Sequence, residues 1–487
     1  MDTQVVIAGA GPTGLTLAIE LARRGIDVRI VDKAERFAVG SRGDGLQPRT
    51  LEVFEDLGVL DDVFAAGIGA PLMRVYDGAS VVWEGRMPEP ESPRPDRPYP
   101  NVWFVPQWRT EEILRARLST YDREVRLGAE VTGVVQENNC VTAYFANGET
   151  LRSHYLVGAD GGRSTVRRQL AVPFLGTTDD RIEMVLADVR ADGLDHDYGH
   201  GWMIDGNFFG FTPLASATDT FVLAGTAPGV EPTLAGLQAA VDAASRRSDI
   251  RLHALSWATI WRPNVRLAER FRAERVFLAG DSAHVHPPTG GQGLNTGVQD
   301  AYNLGWKLAA ALSGLVGHSE ELLDSYQAER LPVAARVLGL STELLEKLLR
   351  GSDDARERGE ETRQLDLSYR GGPLTLDDGC SAALSAGDRA PDAPCCYGDG
   401  EATRLFTLFA GPHWTLLRFG TDAPRLDHRS VRSREIGADI LDIDRHIQRA
   451  YEMKAEGAVL VRPDGYIGAI ATRQARLTAY ANRLLPD

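Results

Sequence analysis

The sequence predicts a chain of mixed α/β and α+β class: a parallel-sheet α/β domain, a β-sheet domain, and a smaller third α/β domain. Three observations carry that expectation. A β-α-β unit with a glycine-rich first turn occupies residues 4–32. Alternating β-rich segments, IEMVLADV and TFVLAGT, fall between residues 181 and 230. Strand-like runs separated by turns return after residue 385. The length of 487 residues fits roughly three domains.

Each element has a local cause. QVVIAG (4–9) is a short β-branched apolar run, the pattern of a buried parallel strand. Residues 13–24 carry Leu15, Leu17, Ala18, Leu21 and Ala22 at helical spacing, and Gly25 stands where a C′ glycine is expected. DVRIVD (27–32) is the second strand. The stretch 77–100 holds Pro88, Pro90, Pro93, Pro95, Pro98 and Pro100 among charged residues, which predicts a long irregular excursion. Residues 296–349 are helical by periodicity, and GSDDARERGEETRQ (351–364) reads as a solvated turn or linker. After the loop GDRAPDAP, the runs LFTLFAG, HWTLLRFG and GAVLVRPDGYIGAI read as strand-like.

Composition removes several functions. Lys and Arg total 53 against 68 Asp and Glu, a formal charge of −15. That balance argues against nucleic-acid binding and against docking on an anionic membrane. The chain contains no apolar run of transmembrane length. Met1-Asp2-Thr3-Gln4 leads into a strand with no basic segment, so no signal peptide and a cytoplasmic location are expected. Cys140, Cys380, Cys395 and Cys396 form no CxxC and fit reduced thiols. His284 and His286 stand two apart with no third ligand in spacing, so no metal is expected.

Three motifs carry chemistry. Gly9-Ala10-Gly11-Pro12-Thr13-Gly14 fits G-x-G-x-x-G between a strand and a helix. Gly9 permits the tight turn, Gly11 the close approach of a pyrophosphate, and Gly14 the helix–strand packing. The helix start offers free N–H groups to phosphate. Asp32, followed by Lys33, ends the second strand and can accept from an adenosine ribose. LVGADGGRSTVRR (156–168) and VFLAGDSAHVHPPTGGQGLNTG (276–297) each place a carboxylate at the end of an apolar strand, where it can bind sugar or ribityl hydroxyls. Gly290-Gly291-Gln292-Gly293 then leads into a helix whose amides can face a ligand oxygen and stabilise negative charge.

In these motifs the chain resembles the single-component flavoprotein aromatic hydroxylases, the para-hydroxybenzoate hydroxylase-like group. The end of the chain, from GDRAPD to LVRPDGYIG, resembles the thioredoxin-like tail of the larger members, which hydroxylate phenols, aromatic polyketides and rifampicin. The resemblance implies a discontinuous Rossmann-like FAD-binding domain (1–70, 101–180 and 268–350). It also implies a β-sheet substrate domain (71–100 and 181–267) and a thioredoxin-like C-terminal domain (385–487) that lacks CxxC.

It further implies site residues. Gly9, Gly11, Pro12, Thr13 and Gly14 would hold the FAD pyrophosphate, and Asp32, with Lys33, the adenosine end. Arg42 would approach the phosphates, and Gln107, with Arg109 nearby, the ribityl chain. Asp160 would serve the Asp-Gly motif; Gly280 and Asp281 the ribityl chain. Pro287 would lie over the flavin edge, and amides at Gly293, Leu294 and Asn295 would face the pyrimidine oxygen. Arg49 is a weaker candidate. Phe209, Phe211 and Trp103, and more weakly Trp83, Trp108 and Phe208, are aromatic candidates for the substrate pocket, although such residues are more often core. His196, His200 and Arg262 are candidates by type for deprotonating a substrate.

The implied reaction is hydroxylation of a phenolic, polycyclic polyketide-type substrate with NADPH or NADH and O₂, through a flavin C4a-hydroperoxide, in a monomer or homodimer. A Baeyer–Villiger or epoxidising oxygenase and an antibiotic-inactivating monooxygenase share the scaffold. A flavin reductase leaking to O₂ is the alternative from another class.

Overall fold

Val5–Ala8 is buried at every residue, and Val28–Val31 at all but Arg29. Strands with no solvated face belong in the middle of a parallel sheet, and both lie there. The computed structural model describes residues 1–487 except 42, 88, 179–181, 205–206, 216, 227–228, 288–289, 314–317, 350–358 and 486–487. Among these the first sheet runs Arg272–Ala273, Val276–Leu278, Tyr155–Gly158, Val5–Ala8, Val28–Val31, Val125–Arg126. All its neighbours are parallel except the antiparallel pair formed by Arg272–Ala273 and Val276–Leu278. Helix Pro12–Ala22 follows the first strand and packs on helix Gly293–Leu312, so residues far apart in sequence share one core. Arg23 is the C-cap, and Gly25, at φ +75°, makes the left-handed turn one residue later than expected.

A second, seven-stranded sheet runs Arg251–Trp261, Met184–Asp192, Thr220–Thr226, Asn207–Pro213, Tyr198–Ile204, Leu72–Asp77, Ser80–Gly85. Its pairs are antiparallel except Leu72–Asp77 with Tyr198–Ile204. Helix Leu234–Ser245 covers one face through Leu237 and Val241. The excursion expected over 77–100 therefore begins as an edge strand. Ser80–Gly85 exposes its first three residues, so it lacks the apolar alternation that would have marked it.

The third unit is an eight-stranded mixed sheet: Leu376–Asp377, Ile467–Ala471, Gly457–Val461, Trp414–Phe419, Val431–Ile436, Ile440–Leu441, Pro394–Tyr397, Ala402–Arg404. Helix Gln474–Leu484 closes it. LFTLFAG, expected as a strand, is the short helix Leu405–Phe409, because Asp392 accepts from the Phe406 N–H at 2.8 Å and caps its first turn. The expected linker also differs where it is described. Glu360–Arg363 is a helical turn, and Thr362 and Gln364 are buried. Gln364 donates to Gln292 Oε1 at 2.6 Å, which ties the segment to the glycine-rich loop.

Candidate flavin site and substrate junction

Gly9 closes the first strand at φ +106°, and a Cβ there would strike the Ala159 carbonyl. A Cβ at Gly14 would strike the Gly9 carbonyl. The protein's own packing requires both glycines. Gly11 is different, since a Cβ there meets nothing within 4 Å. That open space is the room a pyrophosphate needs to approach the backbone. Gly11 is the N-cap of Pro12–Ala22 and brings no side-chain cap. The N–H groups of Thr13 and Gly14 in the first turn have no intrahelical partner and remain for an anion.

The motifs interlock. A Cβ at Gly280 or Gly297 would strike Thr13 Oγ1, so the first and third motifs meet at Thr13. Asp32 accepts from Ala10 N at 2.8 Å and Ala34 N at 2.9 Å, which pins the strand end to the glycine turn. Each carboxylate oxygen retains a lone pair for a ribose hydroxyl. Lys33 is exposed. Asp160 accepts from Ser164 Oγ, Thr165 N and Val166 N and so caps helix Thr165–Gln169. Arg167, not singled out from the sequence, joins the second and third motifs by donating to Gly162 O at 2.8 Å and Ser282 O at 2.9 Å.

In the third motif, Asp281 is exposed on the turn Gly280–Ser282, and Pro287 is buried. Gly293 begins helix Gly293–Leu312, with Leu294 half-buried beside it. Asn295 is buried, donating to Gly45 O at 2.8 Å and Gly291 O and accepting from Gln47 N at 2.8 Å. Gly280 N and His284 Nε2 both lie within hydrogen-bond distance of Asp300 Oδ2, at 3.0 and 2.6 Å. His284 stacks on His286, their centroids 5.6 Å apart. Burial, with His284 adding to it, lowers the His286 pKa to about 3 and keeps it neutral. A Cβ at Gly293 would lie 3.2 Å from the His286 ring.

Other expected residues lie elsewhere. Arg42 falls outside the described residues. Gln107 begins helix Gln107–Ser119 and donates to Glu111 at 2.8 Å, while Arg109 pairs with Glu112 at the surface. Arg49 turns to the third unit: it pairs with Glu52, donates to Asp464 O and lies 4.9 Å from the Tyr466 ring centroid. Phe209 and Phe211 pack beneath helix Leu234–Ser245, on the core face of the second sheet. Strand alternation puts Phe208 on the opposite face. Trp103 is half-buried in a strand between Gly45–Leu46 and Ile68–Gly69. His200 lies in the sheet core against Tyr76 Oη and Asp195 O, and burial lowers its pKa. His196 contacts Thr220 O, and Arg262 pairs with Glu183.

Two carboxylates absent from the sequence reading stand out. Asp188 shares the sheet face opposite Val185, Ala187 and Val189. Its Oδ2 accepts from Ser41 N at 3.0 Å, and its buried Oδ1 has no partner among the described residues. Asp44 lies in the same loop as Ser41, beside Gly45. Burial raises the pKa of each to about 6, and Asp44 adds to the rise at Asp188. A Cβ at Gly40 would strike the Trp257 ring, so this loop packs closely on the second sheet.

A glycine turn with room for a pyrophosphate, a helix start beyond a glycine-rich loop, and a sheet packed on Gly40 and Ser41 fit an FAD-binding oxidoreductase. Comparison with known proteins makes the class specific. Residues 2–341 match the family described as FAD binding domain, and residues 383–486 the one described as aromatic-ring hydroxylase, C-terminal. A flavin-dependent monooxygenase of Mycobacteroides abscessus is 45% identical over 494 residues, covering 99% of this chain and 100% of that one. A rifampicin monooxygenase of Rhodococcus hoagii is 32% identical over 505 residues, covering 98% and 96%. The solved ternary complex of aklavinone-11 hydroxylase with FAD and aklavinone superposes with a TM-score of 0.86 at 27% identity, covering 99% of each chain. The chain belongs to the FAD-binding aromatic-ring hydroxylases and is a flavin-dependent monooxygenase. FAD is its cofactor, and a reduced nicotinamide its family's co-substrate. Among the described residues no helix is long and apolar enough to cross a membrane.

Proposed function

We propose that this enzyme hydroxylates a phenolic, polycyclic aromatic compound with NADPH or NADH and O₂. The observation that carries the reading is Asp188, buried on the second sheet where Ser41 meets it, with Asp44 in the same loop; burial raises the pKa of each to about 6. A group with that pKa is half-ionised near pH 6 and mostly ionised at neutrality, which suits general-base work. Asp188 Oδ1, unpartnered among the described residues, is an acceptor for a substrate hydroxyl, and taking that proton leaves the ring richer in electrons.

Gly9, Gly11, Pro12, Thr13 and Gly14 would hold the pyrophosphate of FAD, and Asp32 its ribose. The amides at Gly293, Leu294 and Asn295 would stabilise charge on the pyrimidine ring, with Asp281 at the ribityl chain. When bound, FAD accepts electrons from the nicotinamide and activates oxygen. The chain's own part is to orient the substrate, keep water out and hold the proton. Packing of Gly40 against Trp257 closes the loop onto the sheet. Gly201 pairs with Gly210, and Cβ atoms there would fall 3.4 and 2.8 Å from the Phe208 ring. Phe208 thus lies against a side-chain-free patch and offers a flat surface to a planar polycycle. The FAD and aklavinone complex of the similar hydroxylase supports that substrate class. The reading includes a cytoplasmic enzyme acting as a monomer or homodimer.

The test follows NAD(P)H oxidation and product mass over a panel of polycyclic and simple phenols, with rifampicin included because of the similar rifampicin monooxygenase. Substrate-stimulated oxidation with an oxygen-added polycyclic product is expected. Stimulation by simple phenols alone removes the polycyclic assignment, and peroxide as the sole product removes the hydroxylase reading.

A further inference from the structure

The third unit lacks a redox motif, yet it meets the cofactor domain through charged groups with almost no solvent access. Lys307, Glu329, Arg462 and Asp464 are each at most 3% exposed. Arg462 donates to Glu329 Oε1 at 2.7 Å and to Asp464 Oδ1 at 3.0 Å. Lys307 donates to Glu329 Oε2 at 2.7 Å and to Asn303 Oδ1 at 2.8 Å. Asn303 and Trp306 donate to Asp464 Oδ2 at 3.2 and 3.0 Å. Two positive and two negative charges cancel.

Stability alone gives little reason for this set. Desolvating four charges costs about as much as their attraction returns, and apolar residues of similar volume often serve as well. What the set supplies is direction, because each bond fixes one atom. Asn303, Trp306 and Lys307 lie on helix Gly293–Leu312, the helix that starts in the flavin motif. Glu329 lies on helix Ser319–Leu349 beside Arg330, which holds the other half of the first helix. Arg330 donates to Asp300 Oδ1 at 2.7 Å and Thr296 O at 3.2 Å. Asp300 in turn bonds Gly280 N and faces His284. Tyr369 receives a bond from Arg330 at 3.0 Å and packs on Tyr466 of the third unit, with ring centroids 4.4 Å apart.

We propose that the third unit is a positioning clamp for the cofactor: its Arg462–Asp464 turn fixes the register of helix Gly293–Leu312 and with it the aim of the amides at Gly293–Asn295. Lys307, Glu329, Arg462 and Asp464 are positioning residues that never touch FAD. The inference rests on the reading that those amides face the flavin.

The decisive variant is Lys307→Met combined with Glu329→Leu. It removes one charge of each sign and leaves Arg462 paired with Asp464. The readouts are apoprotein melting, the FAD dissociation constant from flavin fluorescence, and the flavin reduction potential. Melting close to that of the parent, FAD binding weakened about 3- to 30-fold and a shifted potential are expected. Trp306→Phe, which removes only the donor to Asp464, is the milder variant and shifts FAD binding in the same direction by about threefold. Arg418→Gln breaks the Arg418–Glu435 pair within the third unit and leaves FAD binding unchanged. Gly293→Ala crowds His286 at the helix start and reports on the amides directly. If Gly293→Ala weakens FAD binding and neither clamp variant does, the clamp is wrong and the cofactor reading stands. If none of the three weakens it, the reading of the helix start is wrong and the clamp falls with it.

Discussion

At the junction with the third unit, Glu329 faces Arg462 and Lys307, each at 2.7 Å, and its pKa is pulled down to about 2 although burial alone would raise it. Where Ser41 meets the second sheet, Asp188 has among the described residues only Ser41 to hydrogen-bond it, and burial raises its pKa to about 6. Both carboxyls are buried. The difference is compensation. Opposite charges at contact distance lock the first in its ionised form, and with none at the second among the described residues it gains or loses a proton near pH 6. Paired burial here fixes geometry, and unpaired burial keeps a group chemically available.

Removing one partner gives the largest expected effect. Glu329→Ala strips Arg462 and Lys307 of their shared acceptor, which costs about 3–5 kcal/mol of unfolding free energy in denaturant titration. A loss below about 1 kcal/mol would break the comparison at its stronger end. Acid should do the same work more gradually. Glu329 has a folded-state pKa of about 2 against 4.5 for the free side chain, so the unfolded chain takes up the proton first. Its contribution, about 3 kcal/mol, is complete above pH 4.5 and disappears as pH falls toward 2. Glu329→Gln should lose that part of the acid dependence.

At the other end the sign reverses. The Asp188 pKa lies above the free value of 3.8, so the folded protein binds more protons between 3.8 and about 6 and loses stability as pH rises through that window. Asp188→Asn should recover up to about 3 kcal/mol at pH 8. The same change should lower kcat/KM for phenols and remove an acidic limb near pH 6. A variant equally active and no more stable would show that Asp188 is an ordinary core polar group. The smallest stability effect belongs to Gly11→Ala. Its Cβ meets no protein atom, so apoprotein melting should not move while FAD binding weakens about tenfold. Gly14→Ala, aimed at the Gly9 carbonyl, should lower melting itself.

The two ends also differ in how much the sequence reveals. Strand Val5–Ala8, helix Pro12–Ala22 and the glycine turn are local patterns, and their periodicity and spacing suffice. Ser80–Gly85 is an edge strand with an exposed start, so its pattern is silent. Alternation in Asn207–Pro213 is visible, but which face helix Leu234–Ser245 covers is not; hence Phe209 and Phe211 prove to be core residues. Asp188 meets Ser41 across 147 residues, and no local rule brings them together. Arg42, expected at the phosphates, lies outside the described residues.

Strand pairing sets an order on synthesis. One neighbour of Val5–Ala8, Tyr155–Gly158, lies far along the chain, and that strand's other neighbour, Val276–Leu278, comes later still. The turn bearing Arg462 and Asp464 follows all of these strands, and Glu329 and Lys307, in sequence. Until that turn is made, Glu329 and Lys307 lack Arg462, and the nascent chain must carry that gap. A chain truncated before this turn would leave Glu329 at the seam with Lys307 but without Arg462, a buried carboxylate short of one of its two cations.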